Sequence, residues 1–211
     1  SWSARWERAG HKDDDERPEL KAHRIMEVSE KELLENILAS DGDFTVTQTD
    51  REAKERPPLS FDLTSLQREA NNIWSWSARR TLSVAQELYD THKLTTYPRT
   101  DSRHLPEDMM ESISKTIKQL GAQDKLNSHS KRLVDNGLKN VKRNFDNSKV
   151  SDHYAIIPTG KLPTENLSAD ASKLYDLIAR QFLASFHPDS IWKVEKRITS
   201  KMGQDFIKEA R

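Results

Sequence analysis

Two adjacent prolines, Pro57 and Pro58, interrupt the chain where its hydrophobic pattern changes. Before them, residues 44–50 alternate between the two faces of an extended chain, with Phe44, Val46 and Gln48 set against threonines. This period-two pattern is typical of a strand. After the prolines, apolar residues recur at the spacing of amphipathic helices. Because proline lacks a backbone N–H and fixes its φ angle, regular structure stops at such a pair, and the sequence predicts a domain boundary here.

Helix signals fill the middle of the chain, and strand signals lie on both sides of it. The predicted helices begin near Ser29, Thr64, Ala78, Pro106 and Ser168, and three of them end near Ala39, Gly121 and Phe186. Ser29 with Glu32, and Thr64 with Gln67, match the capping-box pattern of a helix N-terminus. Residues 24–28 and 191–199 have strand-like composition. This order predicts a multidomain α+β fold, in which a helical segment interrupts a sheet-containing domain.

Composition limits the class of protein without naming it. The chain has 34 Lys and Arg against 34 Asp and Glu, so any surface that binds nucleic acid must be a local one. It has no cysteine, which excludes disulfides and thiolate metal sites. No apolar run has the length of a membrane span, and the first residues lack the apolar core of a signal peptide. We therefore expect a soluble intracellular protein with no membrane partner.

The connector between the third and fourth predicted helices holds the densest group of reactive side chains. Tyr97 is followed two residues later by Arg99, with Pro98 fixing the backbone between them. A phenol, with an ordinary pKa of about 10, is a weak nucleophile at neutral pH, and a nearby guanidinium stabilises its anion and offers donors to a phosphate. His153, beside Asp152, can orient a phosphate or relay a proton. Taken alone, each of these residues has an equally simple structural explanation, as a packed tyrosine or a hydrogen-bonded histidine.

Four segments together resemble one enzyme family. They are PPLSFDLTSLQREAN (57–71), SVAQELYDTHKLTTYPRTDSRHLP (83–106), KVSDHYAIIPTG (149–160) and LYDLIARQFLASFHP (174–188). In this order and at this spacing they are similar to the tyrosine-bearing region of type IA DNA topoisomerases, and most similar to the bacterial topoisomerase III branch. The resemblance implies an ATP-independent isomerase that acts on single-stranded DNA.

The resemblance also implies a role for each matching residue. Tyr97 would attack a phosphodiester to give a 5′-phosphotyrosyl link, Arg99 would contact the scissile phosphate, and His153 would bind phosphate or assist proton movement. The candidate DNA-binding residues are Thr100, Asp101, Ser102, Arg103 and Lys149. The family architecture implies that residues 1–58 and 188–211 are parts of a discontinuous β-rich arch domain. Residues 59–187 would then form an inserted, mostly helical tyrosine domain that is winged-helix-like.

One part of the family pattern is missing. Type IA enzymes bind Mg²⁺ through acidic residues at strand ends in a separate Toprim domain. Asp13–Glu16 and the pair Asp41 and Asp43 are acidic, but no apolar strand precedes them, and they read as a loop and a turn. We expect Mg²⁺ in the full-length enzyme, no metal in this chain, and no relaxation of supercoiled DNA by the chain alone. The full-length enzyme is expected to be a monomer in the cytoplasm, at the nucleoid.

Several alternatives stay open at this point. The basic stretch from Lys131 to Lys149 either follows a phosphate backbone or forms a solvated face. Trp74 lies on the apolar side of its predicted helix, which favours core packing, whereas Trp76 suits either the core or a DNA base. A tyrosine recombinase would need a further set of arginines and a histidine that this sequence lacks. A helical DNA-binding module without catalysis would need none of the site residues.

Overall fold

The computed structural model describes residues 3–12, 21–163 and 167–210. It divides into two compact units. The first is drawn from Ser1–Glu55 and Ile191–Arg211, and the second is the continuous stretch Arg56–Ser190. The break at Glu55 and Arg56 falls directly before the two prolines, where the backbone cannot continue a strand.

The first unit is a sheet with one helix. Its elements are β1 (Arg5–Glu7), α1 (Val28–Ala39), β2 (Thr45–Glu55), β3 (Ser190–Lys201) and β4 (Gln204–Ala210). The strands lie in the order β1-β4-β3-β2, and β4 pairs antiparallel with both β1 and β3. Strands β3 and β4 form a hairpin through Met202 and Gly203, whose φ angles of 48° and 76° suit the tight turn that matches strand twist.

The core of this first unit is small. Trp6, Leu34 and Phe206 are buried together, and Phe44 packs edge-on against Phe206 with ring centroids 6.4 Å apart. Lys201 extends across Phe44 and donates to the Ser40 carbonyl at 2.5 Å. Strand β2 is exposed along almost its whole length, so its alternating pattern marks extended backbone and not a buried face.

The second unit is helical. Its α-helices are α2 (Leu63–Trp74), α3 (Ala78–Gln86), α4 (Met110–Leu120), α5 (Asp124–Asn136), α6 (Val141–Asn144) and α7 (Ala169–Ser185). Short turns of other helix types cover Glu87–Thr91, Glu107–Met109 and Asn147–Lys149. One continuous core joins these helices, and α7 contributes its fully buried centre, Leu174, Ile178 and Phe182. The chain is thus a mixture of helices with an antiparallel sheet, as expected for an α+β fold.

The ends of two helices differ from the prediction. Residues 24–28 form no strand, and α1 begins at Val28 without the capping box of Ser29 and Glu32. Helix α2 begins one residue before Thr64, so Thr64 and Gln67 cannot cap it. Asp62 accepts from the Ser65 N–H at 2.6 Å and forms the reciprocal box with the Ser65 side chain. In both helices the N-cap lies two residues before the predicted one, and such a shift changes which side chain faces the free N–H groups.

Four of the helices and strands named above were not predicted, namely β1, α5, α6 and β4. Gln123 precedes α5 and provides no side-chain cap, and β4 is a short strand that pairs with distant β1 as well as with neighbouring β3. The acidic stretch Asp13–Glu16 lies outside the described residues, whereas Asp41 and Asp43 occupy an exposed turn as predicted.

Both tryptophans pack in or against the core of the helical unit, as predicted for Trp74, and this decides the question left open for Trp76. Trp76 is the more buried, with 4% of its surface exposed beneath the guanidinium of Arg80, 4.7 Å from the ring centroid. Trp74 is partly exposed and packs on Trp76 with ring centroids 4.8 Å apart. The buried ring of Trp76 is therefore part of the core and is not free to stack on a base.

Candidate active site

Two extended segments run side by side next to the helices and bring the predicted site residues together. The Thr96 N–H donates to the Ile157 carbonyl at 3.0 Å, and the Thr159 N–H donates to the Leu94 carbonyl at 3.0 Å. The Thr96 hydroxyl adds two bonds, donating to the Ala155 carbonyl and accepting from the Ile157 N–H. These bonds fix the segment that carries Tyr97 against the segment that follows His153.

Tyr97 and His153 are in contact as a result. Their ring centroids are 4.4 Å apart and the ring planes are inclined by 43°. Tyr97 is half-buried and His153 is exposed, so the pair lies at the surface. A phenol and an imidazole in this arrangement are both accessible to a phosphate from solvent.

A second aromatic ring holds Tyr97 from another direction. Tyr89 packs edge-on against Tyr97, with centroids 5.4 Å apart and planes at 76°. It belongs to the π-helical turn Glu87–Thr91, which continues α3. The ammonium of Lys93 lies 5.3 Å from the centroid of the Tyr89 ring. Nothing in the sequence indicated this contact, because a π-helical turn has no sequence pattern that separates it from the α-helix it continues.

Thr100 and Ser102 are buried and bind the backbone. The Thr100 hydroxyl donates to the His153 carbonyl at 3.1 Å and accepts from the Ser102 N–H at 3.0 Å. The Ser102 hydroxyl donates to the Lys149 carbonyl at 2.7 Å. Both side chains therefore fasten the Tyr97 segment to residues 149–153, and neither presents a hydroxyl at the surface.

Arg103 is also occupied within the protein. Its guanidinium donates to the carbonyls of Ser60 at 3.0 Å and Leu59 at 3.2 Å. This ties the connector to the start of the helical unit, where the Leu63 N–H donates to the Thr100 carbonyl.

Arg99, Asp101 and Lys149 are the predicted site residues with charged groups at the surface. Arg99 is exposed, and no side chain in the described part of the protein pairs with it. Asp101 is exposed and accepts a long hydrogen bond of 3.5 Å from Ser151. The ammonium of Lys149 lies 2.7 Å from an Asp146 carboxylate oxygen.

The charges around this surface shift two titratable groups. The hydrogen bond from Lys149, with a second from Ser148, lowers the pKa of Asp146 to about 2, so Asp146 stays anionic. Burial, and then the positive charge of Lys149, lowers the pKa of His104 below its ordinary value. Burial raises the pKa of Tyr154, with a further contribution from Tyr89, which makes Tyr154 a poorer source of phenolate than an ordinary tyrosine.

The described residues contain no cluster of metal-binding side chains. Across residues 3–12, 21–163 and 167–210, no three His, Asp or Glu side chains lie close enough together to hold a metal ion. Within the same described residues, no helix is both long and apolar enough to cross a membrane.

The chain matches one family over nearly all of its length. A family model described as DNA topoisomerase matches residues 2–211. DNA topoisomerase 3 of Shouchella clausii is 38% identical over 184 residues, which cover 85% of this chain and 24% of that protein. DNA topoisomerase 3 of Bacillus subtilis is 37% identical over 181 residues, with the same two coverages. The chain therefore spans about a quarter of the length of these relatives.

A solved structure has the same fold. Full-length topoisomerase I from Thermotoga maritima superposes with a TM-score of 0.60 over 90% of this chain and 31% of that one, at 23% identity. At this identity the likeness bears on fold alone, whereas the family model and the curated relatives bear on ancestry. Taken together, these matches show that the chain belongs to the type IA DNA topoisomerase family and is similar to its topoisomerase III members.

Proposed function

We propose that this chain is the DNA-cleaving segment of a type IA topoisomerase and that Tyr97 is its nucleophile. The observation that carries the proposal is the contact between the rings of Tyr97 and His153, two accessible side chains that the fold brings together from distant parts of the sequence. Either residue alone has a structural explanation, but a phenol and an imidazole packed together at the surface are suited to phosphoryl transfer.

The reaction is a transesterification. The Tyr97 phenol oxygen attacks the phosphorus of a single-stranded DNA phosphodiester and loses its proton. The bond from phosphorus to the 3′ oxygen breaks, and that oxygen leaves with a proton as the free 3′-hydroxyl. The product is a 5′-phosphotyrosyl link, and another strand passes through the gap. Attack by the 3′-hydroxyl then reverses each bond change, so one ester replaces another and no external energy source is consumed.

The neighbouring residues divide into two groups. Arg99 and Lys149 carry cationic heads at the surface, where they contact the phosphates beside the cleaved bond. His153 binds phosphate or carries the proton that moves between the phenol and the 3′ oxygen. Thr100, Ser102 and Arg103 act indirectly, because their side chains bond to backbone carbonyls and hold the connector in place. Asp101 is an exposed acceptor that orients nearby donors.

The two units correspond, in this proposal, to parts of the family architecture. The helical unit is the winged-helix-like tyrosine domain, inserted into a β-rich arch domain that the first unit represents. In a full-length enzyme, Mg²⁺ binds in a Toprim domain outside this chain. The whole protein works as a cytoplasmic monomer at the nucleoid, and this chain alone relaxes no supercoiled DNA. The proposal rests on family membership and on the chain's coverage of about a quarter of its relatives.

Covalent capture of DNA tests the proposal. A full-length enzyme that carries this segment is incubated with single-stranded oligonucleotides labelled at either end, and the protein is denatured to trap adducts. The unaltered protein should retain only the label on the 3′ side of the break, because the 5′ phosphate of that fragment is the one esterified. Tyr97→Phe should form no adduct, whereas Tyr175→Phe, which alters a buried tyrosine in the core, should form it normally.

Each contrary result would favour a different function or a different nucleophile. A label retained through a 3′ phosphate would indicate the chemistry of a tyrosine recombinase. Adducts formed equally by Tyr97→Phe would exclude Tyr97 as the nucleophile. DNA binding with no adduct in any variant, the unaltered protein included, would favour the helical DNA-binding module without catalysis.

A further inference from the structure

A cleft of about 560 Å³ lies in the helical unit between α5 and the C-terminal end of α7. Its lining combines apolar side chains, Leu126 and Leu183, with the guanidinium groups of Arg132 and Arg180. None of the residues that line it belongs to the Tyr97 site. A cleft that joins apolar surface to positive charge suits a ligand with flat rings and anionic groups.

Two histidines line the same cleft and contact one another. The rings of His129 and His187 are perpendicular, with centroids 6.0 Å apart. The Nε2 atom of His187 is buried, and no atom of the described residues hydrogen-bonds to it. A buried ring nitrogen without a partner is rare in folded proteins, and an anionic oxygen placed in the cleft would supply the missing bond.

A second cleft, also of about 560 Å³, shares Asp189 with the first. Its cationic lining residues are Arg56, Lys139, Lys142 and Arg143. The Arg143 guanidinium donates to the Pro57 carbonyl, but no carboxylate in the described part of the chain pairs with Lys139 or Lys142. Positive charge thus continues from one cleft into the next.

This charge is local. The chain as a whole has equal numbers of acidic and basic residues, yet Asp189 is the one carboxylate among the residues that line these two clefts. A single bound phosphate would need only one of the clefts. Two adjoining cationic clefts fit a polymer that carries a charge on every unit, which is the chemistry of a nucleic-acid backbone.

We propose that the two clefts form a second DNA-binding surface, which binds a stretch of backbone other than the one at Tyr97 and binds it more tightly when His187 is protonated. This proposal rests on the proposed function, because that function makes DNA the polyanion at hand. The titratable and charged groups around His187 are His129 and Arg132 on α5, Arg180 on α7, which pairs with Asp176 at 2.7 Å, and Asp189 beyond α7. Arg132 opposes protonation of His187 in the free protein, and a bound phosphate offsets its charge.

The structure supports a link to protons. Burial, followed by the charges of His129 and Arg132, lowers the pKa of His187 below its ordinary value. His187 is therefore largely neutral at neutral pH when no DNA is bound. An anion next to Nε2 favours the cationic form, so binding takes up a proton.

Fluorescence anisotropy with a labelled single-stranded oligothymidine tests the surface. All measurements use the Tyr97→Phe background, in which covalent adducts do not contribute. The combined change Arg132→Gln and Lys142→Gln should raise the Kd about tenfold and reduce the salt dependence by about one unit of slope for each phosphate that the variant no longer neutralises. The matched control, Lys115→Gln with Lys118→Gln, removes the same charge from a different cleft of this unit and should leave the Kd almost unchanged.

A second measurement tests the role of His187 through the pH dependence of DNA binding. Lowering the pH from about 7.5 to about 5.5, across the ordinary histidine pKa of about 6.5, should tighten binding, and His187→Gln should reduce that effect. Equal weakening by the two double variants would overturn the proposal, since net charge alone would then explain binding. So would a pH dependence unchanged by His187→Gln. Neither result alters the covalent-capture test of Tyr97, so the two proposals fail separately.

Discussion

The ring of Tyr89 packs edge-on against the ring of Tyr97, with centroids 5.4 Å apart. Edge-to-face pairs of this kind contribute about 0.5–1.5 kcal/mol beyond simple burial. Together with His153, the contact restricts where the Tyr97 phenol can point. If Tyr97 is the nucleophile, Tyr89 is a positioning residue for it.

Tyr89→Ala should therefore slow cleavage about two- to tenfold, the rate equivalent of one aromatic pair. Because positioning acts on the transition state, religation should slow by the same factor and the fraction of covalent adduct at equilibrium should not change. Tyr89→Phe keeps the ring and should behave like the unaltered protein. Single-turnover cleavage and religation measure this. Phe44→Ala, which removes an edge-on ring in the other unit, is the control.

His153→Gln should lower the cleavage rate by about a hundredfold, the effect of losing a group that transfers a proton in the transition state. DNA affinity should fall much less. The comparison variant is His23→Gln, an exposed histidine in the sheet-containing unit. Rates for the two variants that agree within twofold would assign His153 to packing alone.

Thr100→Val should destabilise the helical unit by about 1–3 kcal/mol, because the Ser102 N–H loses its acceptor and the His153 carbonyl loses its donor in a buried place. Thr100→Ser retains the hydroxyl and should cost much less. Denaturant unfolding of the chain measures both. A Val variant as stable as the Ser variant would mean that water replaces both bonds.

Asp62→Ala should cost about 1 kcal/mol of stability, since it removes the side chain that caps α2. Thr64→Ala should change stability by less than about 0.5 kcal/mol, because Thr64 lies inside the helix and makes no capping bond. The two variants, compared by thermal unfolding, distinguish the observed cap from the one that the sequence pattern suggested. The reverse order of effects would contradict the observed helix start.

The helical unit should lose stability as the pH falls below about 6.5. Burial lowers the pKa of both His104 and His187 in the folded protein, so the unfolded chain binds protons more readily in this range. Protonation therefore favours unfolding, and stability returns as the pH rises above the ordinary histidine value. His187→Gln should flatten the curve of unfolding free energy against pH between about 7.5 and 5.5. A variant with an unchanged curve would remove His187 from this account.

The helices that could be predicted from the sequence are those with a capping residue at the start or a helix-terminating residue at the end. Helix α7 was expected from Ser168 to Phe186 and runs from Ala169 to Ser185, because Ser168 accepts from the Ala171 N–H and Pro188 follows the last turn. Helix α5 has no such signal at its start, since Gln123 provides no side-chain cap. The few buried residues of α5 lie among charged ones. Strand β4 is short and pairs with β1, about 200 residues away, as well as with β3, and no local pattern specifies the pairing with β1.

The candidate site divides in the same way. Tyr97, Arg99 and His153 could be singled out from the sequence alone, by residue type and by family resemblance. Their arrangement could not be predicted, because the contact between Tyr97 and His153 depends on backbone hydrogen bonds between the Thr96 and Ile157 segments. Thr100 and Ser102 looked like surface donors in the sequence, but the structure buries their hydroxyls against carbonyls. Burial of a small polar residue is decided by what packs over it.

The pairing of β1 with β4 affects how the chain is made. Trp6 donates to Gln204, 198 positions later, so the first strand emerges from the ribosome long before its partner exists. The stretch Arg56–Ser190 contains its own core and is complete before β4 is synthesised. Domains that are continuous in sequence generally fold as units during translation. During synthesis the helical unit should therefore fold first, and the sheet should be completed only after β4 has been made.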